Sequence, residues 1–169
     1  GRSVIAPDEL TTGLGAATFR TSVWLDRERA AFGAALARQR HDILVVPFQS
    51  AGQGFDSAER QLLTVLLVDA VTRKTSARLP DPFLVSRALG EGRRRIADDD
   101  VFALARSIKA RTVLLGYVGH DHAGGMTVVL RAVDVGRPGA ADERVKTWPA
   151  RQYSADHPPH EVFQADLPS

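Results

Sequence analysis

Apolar residues recur at helical spacing in three segments of this chain and form strand-like runs in four others. The helical segments are Trp24–Arg40, the residues after Asp56 as far as Val71, and Val101–Ile108. The strand-like segments are Asp42–Phe48, Thr112–Val118, Met126–Val135 and Val145–Tyr153. This mixture predicts a small α/β fold: a mixed sheet of about four or five strands, two main helices and an extra N-terminal helix.

Polar residues and prolines mark where these elements begin and end. Asp56 and Glu59 have the spacing of a capping box, so a helix is predicted to begin after Asp56. The acidic run Asp98–Asp100 is typical of a helix N-terminus, where the helix dipole is positive. Pro80-Asp81-Pro82 breaks the chain, and a short strand is expected beyond it at Phe83–Val85. The residues of the middle helix expected to enter the core are Leu62, Leu63, Leu66, Leu67, Ala70 and Val71.

Segments that contain glycine are interpreted as loops and turns. Gln49–Phe55 is expected to be a loop after the first strand. Gly119–Gly125 is expected to be the turn of an antiparallel hairpin, and Gly136–Gly139 is expected to end the second strand of that hairpin.

The chain is expected to have three regions. Residues 1–41 form an arm and helix, residues 42–150 the α/β domain, and residues 151–169 a polar, proline-containing tail. Trp24 and Phe32 of the first region either pack the leading helix onto the domain or present a surface to a partner, and packing is favoured.

The composition is that of a globular protein, with 44% hydrophobic and 25% charged residues. A formal net charge of only +2 gives no general attraction to nucleic acid. Cysteine is absent, which excludes disulfides, thiolate metal ligands and cysteine nucleophiles. No apolar run approaches the roughly 18 residues of a membrane span. Any membrane attachment is therefore expected to use a segment outside this sequence, and a signal peptide before Gly1 is left open.

Three stretches of the sequence carry a family resemblance. They are ILVVPF at Ile43–Phe48, ALARSIKARTVLLGYV at Ala103–Val118 and TVVLRAVDVG at Thr127–Gly136. Together they resemble the TolB amino-terminal-domain-like superfamily, which is related to CsgG-like and LpoB-like envelope domains. The resemblance covers residues 42–150, and its marker residues are Pro47, Gly116 and Asp134. One departure is Ile108-Lys109-Ala110, where many relatives have a glycine at the helix end.

The resemblance implies a bacterial domain that is not an enzyme and lies in the periplasm or otherwise outside the cytoplasm. It implies a protein-binding or scaffolding role in a multiprotein envelope assembly, with envelope proteins as partners. It implies no catalytic residue, cofactor or metal. The expected place of contact is an open edge of the small sheet, because an edge strand can pair with a strand of another protein.

The loop Gly52–Ser57 supports an alternative function. It joins a strand to a helix, where backbone N–H groups and the helix dipole favour bound anions. It lacks the Gly-Lys-Ser/Thr of a phosphate-binding loop, and Asp56 places a negative charge at the helix end. The alternatives are a small-molecule or nucleotide-sensing domain that uses this loop, and an accessory subunit of an enzyme complex.

His120-Asp121-His122 has the residue types of a metal site, with two imidazoles on one side of an extended segment. Its place at the predicted hairpin tip favours a polar turn instead. Further ligands would have to come from His157 and His160 in the tail. Whether this turn binds metal is left open.

Two charged groups have simpler interpretations than a site. Arg93-Arg94-Arg95 offers charge for a phosphate or an acidic partner, but the nearby Asp98–Asp100 favours a solvated, neutralised turn. Asp156, His157 and Glu161 contain an acid and a base, yet a polar tail with prolines is more typical of a linker.

Overall fold

Five strands form one mixed sheet at the centre of the computed structural model, which describes residues 26–52, 54–90 and 95–148. They are β1 (Ile43–Val45), β2 (Gln49–Ser50), β3 (Thr112–His120), β4 (Met126–Asp134) and β5 (Arg137–Trp148). The strand order is β1-β3-β4-β5, and β2 also pairs with β3. β1 and β2 run parallel to β3, whereas β3, β4 and β5 are antiparallel neighbours.

Helices cover both faces of this sheet. They are α1 (residues 26–36), α2 (Ser57–Lys74), α3 (Pro82–Leu89) and α4 (Asp98–Ser107). Leu63 and Leu67 of α2 pack with Val118 and Val128 on one face, which we call the α2 face. α1, α3 and α4 pack on the opposite face, the α4 face. The expected α/β fold with a mixed sheet and an N-terminal helix is confirmed.

The segment after the proline break is a helix, so the prediction of a strand at Phe83–Val85 is wrong. Pro82 occupies the first turn of α3, where its fixed φ suits a helix and its missing N–H costs nothing. Asp81 caps the helix, because its carboxylate accepts the N–H groups of Phe83 at 2.8 Å and Leu84 at 3.3 Å. Phe83 is largely exposed, while Val85 enters the core.

The predicted loop Gln49–Phe55 is wrong at its first two residues, which form β2. Val45 is aligned with Leu114 of β3, whereas Gln49 is aligned with Tyr117. The chain from Val45 to Gln49 therefore has one residue more than the matching stretch of β3, and this extra residue forms a bulge beside Pro47. Because proline has no N–H for the ladder, pairing stops there and resumes in β2.

The two main helices largely follow their sequence patterns. In α2, Leu63, Leu67, Ala70 and Val71 are buried, but the expected core residue Leu62 is 53% exposed. In α4, Val101, Leu104 and Ala105 are buried, as is Ile108 directly after the helix. Leu62 is exposed because the buried face of α2 is too narrow to include all of the leucines in this helix.

Lys109 ends α4 in place of the usual glycine. Its φ of 59° is in the left-handed region. The N–H of Ala110 bonds to the carbonyl of Ala105 at 2.9 Å, and that of Lys109 to Arg106 at 3.1 Å. This is the Schellman arrangement, formed here at the cost of a strained lysine.

The leading helix α1 contacts the domain through Leu36 and Phe32. Leu36 is buried with the residues of the α4 face. The guanidinium of Arg87 lies 5.3 Å from the ring centroid of Phe32, a cation–π contact between α3 and α1. Trp24 lies outside the described residues. Within the described ranges, no helix has the length and apolar character needed to cross a membrane.

Candidate functional site

β5, the terminal strand at the edge of the sheet opposite β1, begins at an earlier residue than the sequence predicted. β5 starts at Arg137, directly after a two-residue turn at Val135 and Gly136. The Asp134 carboxylate accepts the N–H of Gly136 at 2.8 Å, which stabilises this turn. The hairpin strand does end just before Gly136, but the next strand begins at Arg137 and not at Val145, so the predicted start of the edge strand is wrong. Residues 149–153 of the predicted edge strand lie outside the described residues.

β5 is a long strand, and its side chains from residue 137 to residue 147 are exposed on both faces. It has 12 residues, about twice the length of an average strand. All of its residues from 137 to 147 are exposed, and the core clusters contain none of them. α2 and the helices of the α4 face lie over β1, β3 and part of β4, so β5 extends beyond the helical layers.

Only one of the two hydrogen-bonding edges of β5 is paired in the described part of the chain. β5 pairs with β4 from Met126↔Trp148 to Val133↔Ala141 without a shift. It is the terminal strand of the sheet, and no described strand lies beyond it. Alternate N–H and C=O groups of β5 therefore point away from the sheet. At about 3.3–3.4 Å per residue, this edge offers roughly 40 Å of backbone.

Charged side chains of both signs lie close together on β5. Arg131 Nε of β4 is 3.4 Å from Glu143 Oε2, an ion pair without hydrogen-bond geometry. On the other face, Arg144 Nη2 is 3.8 Å from Asp142 Oδ2. These exposed pairs contribute little to stability, since such contacts are worth about 0–1 kcal/mol. They define the charge pattern that any strand approaching the edge would meet.

An apolar row crosses the sheet to this edge on the α4 face. Tyr117 is aligned with Val129, and Val129 with Val145. Tyr117 packs against the core cluster, Val129 is half-buried and Val145 is 61% exposed. The row therefore runs from covered to open surface and leaves an apolar side chain at the edge.

The loop proposed for anion binding is used inside the fold. The Asp56 carboxylate accepts the N–H of Glu59 at 2.8 Å, and the Glu59 carboxylate accepts that of Asp56 at 3.0 Å. The predicted capping box is thus confirmed, and two carboxylates occupy the α2 N-terminus. Beside it, Phe55 stacks on His120 with ring centroids 4.4 Å apart. A side chain at Gly54 would overlap this His120 ring.

The predicted turn at His120-Asp121-His122 is organised by its central residue. The Asp121 carboxylate accepts the N–H groups of Ala123 at 2.9 Å and Gly125 at 2.7 Å. β3 includes Gly119 and His120, so the turn is two residues shorter than the expected Gly119–Gly125. Among the described residues, no three His, Asp or Glu side chains are placed to hold a metal ion. His157 and His160 lie outside the described residues.

A buried polar contact behind the Pro47 bulge was not expected from the sequence. Thr64 of α2 is buried and accepts the N–H of Phe48 at 2.9 Å. The same hydroxyl donates to the carbonyl of Arg60 at 2.9 Å. Thr64 therefore satisfies an N–H that the bulge removes from the strand ladder. The signal in the sequence is a threonine within the apolar stripe of a helix.

A groove of about 330 Å³ lies between α1, α3 and α4. Small side chains form much of its lining, among them Ala30, Gly33, Ala88 and Ala103.

The charged groups that the sequence analysis singled out lie mostly outside the described residues. Arg95 of the arginine triplet is described, and its side chain is exposed. Arg93, Arg94, Asp156 and Glu161 lie outside the described residues.

No protein-family model matches the chain, and no curated protein matches it in sequence. Its fold is similar to that of lipoprotein GNA1162 from Neisseria meningitidis, with a TM-score of 0.50 at 14% identity over 68% of this chain and 86% of that chain. A PelC dodecamer structure from Paraburkholderia phytofirmans aligns with a TM-score of 0.45 at 17% identity, over 75% and 81% of the two chains. The LpoB C-terminal domain from Salmonella enterica aligns with a TM-score of 0.43 at 11% identity, over 72% and 97%.

At 14% identity, the similarity to the Neisseria lipoprotein is one of fold alone. The fold and its edge define a class: a layered α/β domain that ends in a long, open β-strand. The relationship to the TolB-like superfamily stays a prediction.

Proposed function

We propose that this chain is a non-catalytic protein-binding or scaffolding domain of a bacterial cell-envelope assembly. It binds other proteins by pairing their strands with the outer edge of β5. The observation that carries this proposal is the length and exposure of β5, which has 12 residues and no described strand on its outer side.

Strand addition suits this edge for two reasons. Its outward N–H and C=O groups can bond to the main chain of any extended partner, which supplies affinity. Its alternating side chains, including the exposed Val145 and the charges around it, supply specificity. Natural proteins protect idle edges with charges or prolines, and Pro138 and Lys146 fit such protection against unspecific pairing.

The polar groups that suggested ligand chemistry have structural roles. Asp56 and Glu59 cap the N-terminus of α2, and the Asp121 carboxylate stabilises the hairpin turn. These contacts favour the protein-binding function over the anion-sensing alternative, because a bound phosphate would be repelled by the two carboxylates at the N-terminus of α2.

The envelope compartment is supported by the sequence resemblance to envelope domains. It is also supported by the fold that the chain shares with a protein described as a lipoprotein. In this proposal the domain lies in the periplasm or otherwise outside the cytoplasm, where it contacts envelope proteins.

Two adjacent proline variants, Val145→Pro and Lys146→Pro, test the role of the edge. Successive N–H groups of an antiparallel strand point to opposite edges, so one proline removes an outward N–H and the other breaks pairing with β4. Thermal unfolding identifies the outward variant as the one that keeps its stability.

We expect the outward variant to lose the partners that the unmodified domain captures from a bacterial envelope fraction, identified by mass spectrometry. If the stable variant keeps the same partners, the edge is not the binding surface.

A second experiment tests the sensing alternative. In a thermal-shift screen, nucleotides and divalent metals should leave the unfolding temperature unchanged. A reproducible shift that is abolished by Gly54→Ala or His122→Ala would favour the sensing alternative instead.

A further inference from the structure

We infer that the partner of the β5 edge is β5 of a second copy, paired antiparallel about a two-fold axis at Glu143. The inference rests on the proposed function of this edge and names its occupant. The sheets of two copies would join into one continuous sheet of ten strands, five from each copy.

Symmetry restricts how two copies of β5 can pair. Identical antiparallel neighbours are related by a two-fold axis perpendicular to the sheet, so each face of one copy continues into the same face of the other. Residues directly opposite each other then share a face, and odd-numbered residues face odd-numbered ones. Each allowed register is identified by the residue that lies on the axis.

With Glu143 on the axis, the side chains of the two strands are complementary. Asp142 lies opposite Arg144 of the second copy, and this ion pair occurs twice. Val145 lies opposite Ala141 of the second copy, also twice. The apolar row of the α4 face thus continues into the second sheet, and the exposed Val145 gains an apolar neighbour.

The neighbouring registers match less well. With Arg144 on the axis, Asp142 lies opposite Lys146 twice, but two arginines face each other and Val145 lies opposite Glu143. With Val145 on the axis, Arg144 lies opposite Lys146 twice. With Asp142 on the axis, two aspartates face each other and Arg144 lies opposite an alanine. Like charges directly opposite destabilise a strand pair, so these registers are disfavoured.

The Glu143 register also brings two like charges together, but β4 supplies a counter-charge for each. Arg131 is aligned with Glu143, and its Nε lies 3.4 Å from the carboxylate. The axis would therefore hold two glutamates flanked by two arginines. Within one copy, Arg144 Nη2 already lies 3.8 Å from Asp142 Oδ2. Pairing with the second copy would therefore give each of these two side chains a second partner of opposite charge.

Charge reversal tests the pairing and its register together. Analytical ultracentrifugation across a concentration series measures self-association of the full chain, and circular dichroism checks the fold. Asp142→Arg and Arg144→Asp each create two repulsive pairs per dimer, so each should weaken association by roughly 10-fold or more. The double variant Asp142→Arg/Arg144→Asp restores both pairs and should associate like the unmodified chain.

Mixing the two single variants gives the sharpest result. The pairing forms two Arg–Asp contacts only between unlike variants, so an equimolar mixture should form heterodimers although each variant alone is largely monomeric. The control is the swap Asp69→Arg/Arg73→Asp on the exposed face of α2, where the same charges lie 3.0 Å apart. It should leave association unchanged.

An unmodified chain that stays monomeric over the whole concentration series would overturn self-pairing. The protein-binding function would then stand or fall on the proline variants, which use envelope partners as the readout. Association that ignores the charge reversals would overturn the register, as would a mixture of single variants that forms no heterodimer.

Discussion

Gly116 of β3 lies directly beneath the ring of Phe48, so close that a Cβ at this position would be 2.6 Å from the ring. Phe48 follows Pro47 in the bulge of the first strand and is 1% exposed. Its backbone N–H donates to Thr64, so the backbone of Phe48 cannot move away from β3 without breaking that hydrogen bond. This contact fixes how α2, the bulge and the central strand fit together.

Gly116→Ala should destabilise the domain by about 1–3 kcal/mol, because the added methyl group overpacks a closed part of the core. Denaturant unfolding measures the loss. Gly139→Ala is the matched control, since a Cβ on that strand glycine meets nothing within 4 Å. Equal stability of the two variants would show that Phe48 has room to move.

Removal of the capping carboxylate at α2 should have a smaller effect. Asp56→Ala leaves the N–H of Glu59 without its acceptor and should cost about 1 kcal/mol. Asp69→Ala, in the exposed middle of the same helix, loses only a surface ion pair and should change stability by less than about 0.5 kcal/mol. Thermal unfolding compares the two, and a cap variant no less stable than its control would contradict the role of Asp56.

The strained end of α4 offers a stabilising substitution. Lys109→Gly should raise the free energy of unfolding by up to about 1 kcal/mol, because glycine adopts the positive φ without penalty. Lys109→Ala keeps a Cβ and should leave the strain in place. If the alanine variant is stabilised as much as the glycine variant, the gain does not come from the backbone.

Asp42 makes stability depend on pH. Its carboxylate accepts the N–H of Arg78 at 2.8 Å, and this hydrogen bond, helped by the Arg78 guanidinium, lowers the pKa of Asp42. Since the folded pKa lies below the unfolded value of about 3.9, the contribution is complete above that value. It is lost as the pH falls through the folded pKa.

Asp42→Asn should therefore be less stable than the unmodified chain at neutral pH, and the difference should shrink as the solution is acidified. Denaturant unfolding over a pH series measures both chains. A difference that stays constant down to the lowest pH would assign it to packing, and not to the ionised carboxylate.

Local signals predicted much of this fold correctly because their causes are local. The capping box at Asp56 joins residues three positions apart, and the acidic start of α4 needs only its own helix dipole. The hairpin of β3 and β4 follows from a polar turn between two apolar strands. By contrast, Phe83–Val85 has a strand-like composition, but the proline and aspartate before it start a helix.

The edge of the sheet was only partly predictable. The resemblance points to open edges, but the sequence predicts the edge strand only from Val145, whereas it begins at Arg137. The residues before Val145 belong to β5 because β4 provides a complete set of backbone partners from Met126 to Val133. Because the side chains of residues 137–147 are exposed, they leave no periodic apolar signal, and the neighbouring strand sets the length of β5.

By itself, the sequence determined the alternation of helices and strands, their caps and the residues that line most of the core. These depend on hydrophobic period and on contacts within a few residues. The tertiary structure decided the bulge beside Pro47, the left-handed Lys109 and the exposure of Leu62. It also decided that β5, and not the glycine loop, forms a long edge of the sheet with no further strand beyond it among the described residues. Those features arise where distant segments compete for the same space or hydrogen bonds, which no local pattern records.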